Sequence, residues 1–325
     1  MAKVLITGGA GYVGSHCVKA LIDAGHDCIV FDNLSRGHKE FAKWSSLIVG
    51  DVRDKGSLSQ VFRDHHFDAV MHFAGLAYVG ESVDNPLLYW DNNVSGTRTL
   101  LEVMLGFDVK KIVFSSTCAV YGQPDTLPIT EETLKQPINP YGYTKLACEN
   151  LMDHLGTSSN LKSVRFRYFN AAGSDHKNGL GEWHEPETHL IPLVIDSAMG
   201  LRPPVKIFGC DFPTYDGTAI RDYIHVKDLA SAHLKGLDYL LNGGSTEVFN
   251  LGSGLGTSVY DVIKVVEHIS GKRVPRIISD RRKGDPAELM ANVQKIKHVL
   301  GWSSKLSFEK IIEDAYQWAL LRNKR

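Results

Sequence analysis

Along the first half of the chain, short apolar runs alternate with stretches whose apolar residues recur every three to four positions. The runs at Lys3–Thr7, Cys28–Phe31, Leu47–Val49, Ala69–Phe73, Lys111–Ser115 and Ser163–Tyr168 have the length and β-branched content of strands. The stretches Tyr12–Ala24, Leu58–Asp64, Leu87–Leu105 and Tyr141–Leu155 have the period of amphipathic helices. Continuously apolar strands separated by helices suit parallel strands covered on both faces. Right-handed crossovers place helices on both sides, so residues 1–170 are expected to form a doubly wound parallel α/β sheet.

After Asn170 the alternation lapses. Ala171–Pro192 is rich in Gly, His, Glu and Asp and reads as a long loop, and Pro203-Pro204 and Asp216-Gly217 mark turns. Helical periodicity returns at Val226–Leu241, Ser258–Ser270 and Phe308–Arg322. Residues 171–325 are expected to form a smaller mixed α/β domain that grips substrate, with a segment at roughly 219–252 able to return to the first domain. There is no internal repeat and no low-complexity tract.

A length of 325 residues accommodates two such domains. The 36 basic and 37 acidic residues leave a net charge of -1, which argues against a nucleic-acid partner. No run of about 18 uncharged apolar residues occurs, so no membrane span is expected. Val4-Leu5-Ile6-Thr7 leads straight into strand pattern, and no signal peptide is expected. The five cysteines are scattered, which fits reduced thiols and a cytoplasmic location. The 14 histidines form no His-Glu-x-x-His or His-x-His group, so no metal site is expected.

Two motifs carry chemistry. Thr7-Gly8-Gly9-Ala10-Gly11-Tyr12-Val13-Gly14 follows the first strand and opens a helix. Its glycines allow a tight turn and close approach of backbone N–H groups to a pyrophosphate, and the helix N-terminus adds partial positive charge. Asp32 ends the second strand, where a carboxylate accepts from ribose hydroxyls and repels a 2′-phosphate. This is the Rossmann arrangement, and it favours NAD over NADP, although Arg36 nearby weakens the preference. Tyr141 and Lys145 lie four residues apart at the start of a helix after Pro140, one turn apart on one face. An ammonium beside a phenol, with an oxidised nicotinamide, favours the phenolate and makes Tyr141 a base near neutral pH. Ser115-Ser116-Thr117 ends the fifth strand, where the Thr117 hydroxyl is placed to share a hydrogen bond with a reacting sugar oxygen.

Together these residues resemble the extended short-chain dehydrogenase/reductase superfamily over essentially the whole chain. His72-Phe73-Ala74-Gly75, Val79-Gly80-Glu81-Ser82, Asp91-Asn92-Asn93, Arg167-Tyr168-Phe169-Asn170, Asp216-Gly217-Thr218 and Arg221-Asp222-Tyr223-Ile224-His225 are similar to the UDP-glucose 4-epimerases within it. Gly181-Glu182-Trp183-His184-Glu185-Pro186-Glu187-Thr188-His189 is similar to bacterial epimerases of exopolysaccharide synthesis. The resemblance implies a homodimer, a tightly bound NAD and a UDP-sugar substrate. It implies cofactor contacts at Gly8, Gly11, Tyr12, Val13, Gly14, Asp32, Asn33, Ser35, Asp51, Val52, Phe73, Ala74, Gly75, Asn92, Ser115, Tyr141, Lys145 and Tyr168, with Phe169 also beside the nicotinamide. It implies substrate contacts at Thr117, Tyr141, Asn170, His189, Leu190, Lys206, Phe208, Arg221, Tyr223, Arg282, Asp285 and Leu289. Arg221 and Arg282 suit a diphosphate because guanidinium forks bind phosphate oxygens in pairs. Asp285 suits ribose hydroxyls.

Two positions depart from the family pattern. Ala77 stands where many epimerases have lysine, as it does in relatives acting on UDP-arabinose and UDP-xylose. Leu289 stands where strict glucose/galactose enzymes have tyrosine, which leaves room for an N-acetyl group unless Leu289 is a core residue. The expected reaction is therefore inversion at C4 of a UDP-sugar through a 4-keto sugar, with UDP-glucose/UDP-galactose first and UDP-GlcNAc/UDP-GalNAc or UDP-arabinose/UDP-xylose as alternatives. A 4,6-dehydratase would need an acid pair after Thr117, where Cys118-Ala119 stand. A reductase with exchangeable NADPH is opposed by Asp32, and a non-catalytic NAD-sensing scaffold by the intact Tyr141/Lys145 pair. The helical stretches Asn93–Leu105 and Tyr141–Leu155 suit a four-helix interface with a second copy.

Overall fold

The computed structural model describes residues 1–282 and 284–324; Lys283 and Arg325 lie outside the described residues. Six strands of the first half are β1 (Lys3–Thr7), β2 (Asp27–Asp32), β3 (Ser46–Val49), β4 (Ala69–His72), β5 (Lys111–Thr117) and β6 (Lys162–Tyr168). They form one parallel sheet with a seventh strand, Glu247–Leu251, in the order 247–251, β6, β5, β4, β1, β2, β3. The order reverses between β1 and β4, and in open α/β sheets that is where a crevice opens beyond the strand ends.

Period-two alternation fills both faces of this sheet. Val4, Ile6, Val30, Met71, Val113, Phe166 and Phe249 point to one side and meet Val18 and Leu21 of helix Tyr12–Asp23 and Leu229 and Leu237 of helix Val226–Leu241. Leu5, Ile29, Phe31, Val70, Ile112 and Phe114 point to the other, against helices Lys55–Asp64, Gly96–Gly106 and Pro140–Ser159. Each fully buried side chain of this kind contributes about 1.5–3 kcal/mol. The second half builds its own core, with Val194, Ile195, Ile207, Val262, Val266, Ile311 and Ile312 gathered from three helices and a strand.

Two expectations are corrected. The single helix expected over Leu87–Leu105 is helix Pro86–Tyr89 and helix Gly96–Gly106 joined by a π-helical turn, Trp90–Ser95. Asn93 holds that turn: its amide oxygen accepts from Leu76 N at 2.8 Å and its nitrogen donates to Leu76 O and Thr144 Oγ1. Such turns cluster at functional sites. The loop expected over Ala171–Pro192 contains strand Asn170–Ala172, paired with Ile220–His225, and a small hairpin, Ser174–Asp175 with Leu180–Gly181. Helix Leu190–Ala198 then starts inside the expected loop, because Pro192 lies in its first turn, where the missing N–H has no helical partner to lose.

Candidate active site

The cleft begins at the glycine turn. Gly8 has φ 73°, and a Cβ there would lie 2.4 Å from Ala74 N. A Cβ on Gly14 would lie 2.2 Å from Gly8 O, so both positions exclude any side chain. Helix Tyr12–Asp23 has Gly11 as its N-cap, no side-chain cap and no acidic residue in its first turn. Its leading N–H groups are thus left for an anion, and the turn fits a dinucleotide pyrophosphate.

Asp32 is buried at the end of β2, where its carboxylate accepts from Ala10 N at 3.0 Å and Leu34 N at 2.8 Å. Burial pushes its pKa up against those two bonds. Arg36 is committed elsewhere: it pairs with Glu81 at 2.6 Å, donates to Glu185 O and lies over the Tyr78 ring. That removes the nearest cation that would welcome a 2′-phosphate. Asn33 donates to Asp51 at 2.9 Å and accepts from Ser35 N, while hydrogen bonds from Arg53 hold the Asp51 carboxyl well below the usual range. Val52 is buried beneath. Phe73 N and Ala74 N both donate to Thr7 O, binding the end of β4 to β1, and Asn92 donates to Asn93 within the π-helical turn.

Helix Pro140–Ser159 carries the proton-transfer pair. Asn139 caps it, accepting from Gly142 N at 2.9 Å, and Pro140 occupies the first turn. Lys145 Nζ donates to Ser115 O at 2.8 Å, lies 4.8 Å from the Phe114 ring centre and would stand 3.2 Å from a Cβ on Gly75. Burial pulls its pKa down to about 8. Tyr141 is hydrogen-bonded to Thr117; burial pushes its phenol up to about 12 and the Thr117 bond opposes the rise. Lys145 is turned to the Ser115 carbonyl, and the positive ring of a bound nicotinamide would oppose the rise of the phenol. Tyr168 donates to His233 Nε2, since His233 Nδ1 is spent on Leu229 O at 2.8 Å.

The substrate positions fall into four groups. Arg221 pairs with Asp285 at 2.5 Å, and its strand neighbour in register is Leu289. Leu289 packs partly buried against Val120, Tyr121 and Ile129, so it has the surroundings of a core leucine. The Arg282 guanidinium lies 4.0 Å from the Phe208 ring centre, and Lys206 is exposed two residues earlier on strand Val205–Phe208. Asn170 donates to Asp222 O at 3.0 Å and stands in register with Tyr223, whose ring is buried 5.5 Å from Phe308. His189 caps helix Leu190–Ala198, apart from the arginines, in a cluster with Glu182, His184 and Glu187.

Several residues that hold the site were not singled out from the sequence. Glu149, one turn beyond Lys145, binds Arg167 at 2.6 and 3.0 Å and Ser116 Oγ, with both charged side chains 2% exposed. Arg167 continues to Tyr121 OH, and Tyr121 to Asn250 Oδ1, each at 2.7 Å. Asn93 and the Glu182/Glu187 pair complete the omissions. In that last cluster burial pulls His184 down, but the two glutamates outweigh it and hold its pKa at about 9. The repeat Glu-x-His-x-x-Glu-x-His from Glu182 to His189 was the available signal.

The model of the NAD dependent epimerase/dehydratase family matches residues 4–252. The chain belongs to this family. A UDP-glucose 4-epimerase of Rhizobium meliloti (strain 1021) is 48% identical over 321 residues, covering 99% of this chain and 98% of the relative. The crystal structure of UDP-glucose 4-epimerase from Brucella ovis in complex with NAD superposes with a TM-score of 0.95 at 42% identity, covering 97% of this chain and 98% of that one. That of UDP-glucose-4-epimerase from Stenotrophomonas maltophila, with bound NAD and formylated UDP-arabinopyranose, gives 0.96 at 37% identity over 100% and 99%. Among the described residues no helix is long and apolar enough to cross a membrane.

Proposed function

We propose that the chain inverts C4 of a UDP-sugar, with UDP-glucose and UDP-galactose as its pair. What supports this reading is the hydrogen bond of Tyr141 to Thr117 and the seat of Lys145 on Ser115 O at the end of β5, together with the part-open Arg221 and the exposed Arg282 in the second half of the chain. NAD, which Gly8, Gly11, Tyr12, Val13, Gly14, Asp32, Asn33, Ser35, Asp51, Val52, Phe73, Ala74, Gly75, Asn92, Ser115, Tyr141, Lys145 and Tyr168 would hold, would supply the reversible hydride acceptor. Tyr141 takes the proton of the C4 hydroxyl while Thr117 holds the same oxygen. Arg221, Arg282 and Lys206 keep the UDP diphosphate as the 4-keto sugar turns its other face, and Tyr141 then returns the proton. No net oxidation results.

Residues 1–170, joined by the strand at 247–251, serve on this reading as the dinucleotide lobe, and the remainder grips UDP-sugar. A homodimer is supported by exposed apolar side chains at Val83, Leu87, Leu88, Trp90 and Tyr143, which a second copy of the same face would cover. Five unpaired cysteines support work in the cytoplasm. The test is a side-by-side assay of C4 inversion on UDP-glucose, UDP-GlcNAc and UDP-arabinose without added cofactor. Turnover of UDP-glucose well above the other two is expected; a preference for either alternative would move the substrate assignment, and inversion of none would end it.

A further inference from the structure

We propose that Glu182, His184, Glu187 and His189 form a binding site for a divalent first-row cation, Zn2+ above all, at the rim of the dinucleotide cleft. The proposal is independent of the sugar assignment. One ligand atom from each residue lies within 4.8 Å of every other. A zinc ion with ligands at about 2.0–2.1 Å has tetrahedral edges of about 3.3 Å. His184 Nδ1 stands 3.3 Å from Glu182 Oε1 and 3.7 Å from Glu187 Oε2. Glu182 and His189 are closer, in a direct hydrogen bond that a cation would replace.

The second observation is an unpartnered carboxylate oxygen. The Glu187 side chain is 1% exposed. Its Oε1 accepts from Thr188 N at 2.8 Å and His189 N at 2.9 Å, which fixes the group. Its Oε2 and the facing His184 Nδ1 are both buried without a hydrogen-bond partner among the described residues. One oxygen oriented by backbone and the other bare is the form of a metal-ligating carboxylate with its supporting shell in place. Without a metal these two atoms are held only by the long His184 ion pairs of 3.3 and 3.7 Å, whereas a cation between them would ligate both. Two carboxylates and two neutral imidazoles also balance a divalent charge. A four-ligand set with two imidazole nitrogens suits zinc and not calcium or magnesium, which take six or more oxygens. His189, with its side chain 48% exposed, leaves a path for entry.

The position gives the site a purpose. The His184 ring meets Tyr12 edge-on at 6.2 Å and Tyr78 at 5.5 Å, and Tyr12 OH donates to Gly173 O at 2.7 Å. A bound ion would therefore clasp the 173–189 segment onto the first residue of the dinucleotide helix. It would also hold His189 through Nδ1 and leave Nε2 for substrate.

The test uses the NAD-loaded protein, dialysed against chelator and titrated calorimetrically with Zn2+, with metal content read by mass spectrometry. Stoichiometric binding is expected, with a rise in Tm on Zn2+ addition and, with Co2+, the intense visible bands of a tetrahedral site. Glu187→Gln and His184→Phe should each weaken binding at least about tenfold, with circular dichroism reporting the fold of each variant. Absence of stoichiometric Zn2+ and of the Co2+ bands in the unaltered protein would overturn the proposal and leave a charge-paired histidine–glutamate network. So would unchanged binding in two folded variants.

Discussion

Beneath Tyr141 the charged side chains are buried and multiply bonded; on the arginine side, Arg221, Asp285, Arg282 and Lys206 are part-open or exposed. Glu149 and Arg167 are 2% exposed and share two hydrogen bonds, with Ser116, Tyr121 and Asn250 extending the network into β5 and the strand Glu247–Leu251. Arg221 and Asp285 are 15% and 26% exposed, and Arg282 rests on an aromatic face above exposed Lys206. The difference follows from what each side must do. Proton transfer needs oxygens held within a fraction of an ångström, which a satisfied buried network provides. A ligand that enters, turns over and leaves needs cations that can change partners, and part-exposed pairs allow that.

The largest expected break in this comparison is Tyr141→Phe. Removing the proton-transfer oxygen should lower kcat by about 10²–10⁴-fold while UDP binding by calorimetry stays unchanged; retained kcat would take Tyr141 out of the chemistry. Next is Glu149→Ala, which strands a buried guanidinium and should destabilise the fold by about 3–5 kcal/mol. A urea midpoint equal to the unaltered protein's would show that the network is ornamental. On the open side, Arg221→Ala should raise KM by about 10–100-fold, the equivalent of 1.5–3 kcal/mol, with kcat nearly kept. An equal fall in kcat would mean that both sides are rigid.

A further expected effect lies in pH. Burial brings Lys145 from 10.5 to about 8, so between those values the unfolded chain keeps a proton that the folded chain has shed. Stability relative to Lys145→Met should therefore rise with pH through that window and level off above it. Tyr141 acts in the opposite sense: from 10 to about 12 the folded chain holds a proton that the unfolded chain loses, and stability relative to Tyr141→Phe should fall. Unfolding free energies measured at several pH values would check both signs.

The same contrast separates what the sequence could announce from what it could not. The glycine turn, Asp32 and the Tyr141/Lys145 pair are local spacings, and β1 to β6 follow from local apolar runs placed to within two residues. Helices Val226–Leu241 and Phe308–Arg322 were readable end to end for the same reason. Glu149 sits as one polar residue in a helix, and its meaning depends on Arg167 from the next strand. Tyr121 and Asn250 are 129 residues apart. The seventh strand and the pairing of Asn170–Ala172 with Ile220–His225 are likewise long-range events that periodicity does not carry. Leu190–Ala198 was masked by Pro192, a helix breaker everywhere except in a first turn.

The most direct measurement of a fixed proton-transfer edge facing a loose UDP grip follows a C4 deuterium on UDP-glucose through the reaction. If the sugar is oxidised, turns on its diphosphate and is reduced again within one cleft, the UDP-galactose formed carries the label at C4, and neither water nor added nicotinamide acquires it. Washout of the label into solvent, or its transfer to free cofactor, would contradict the account.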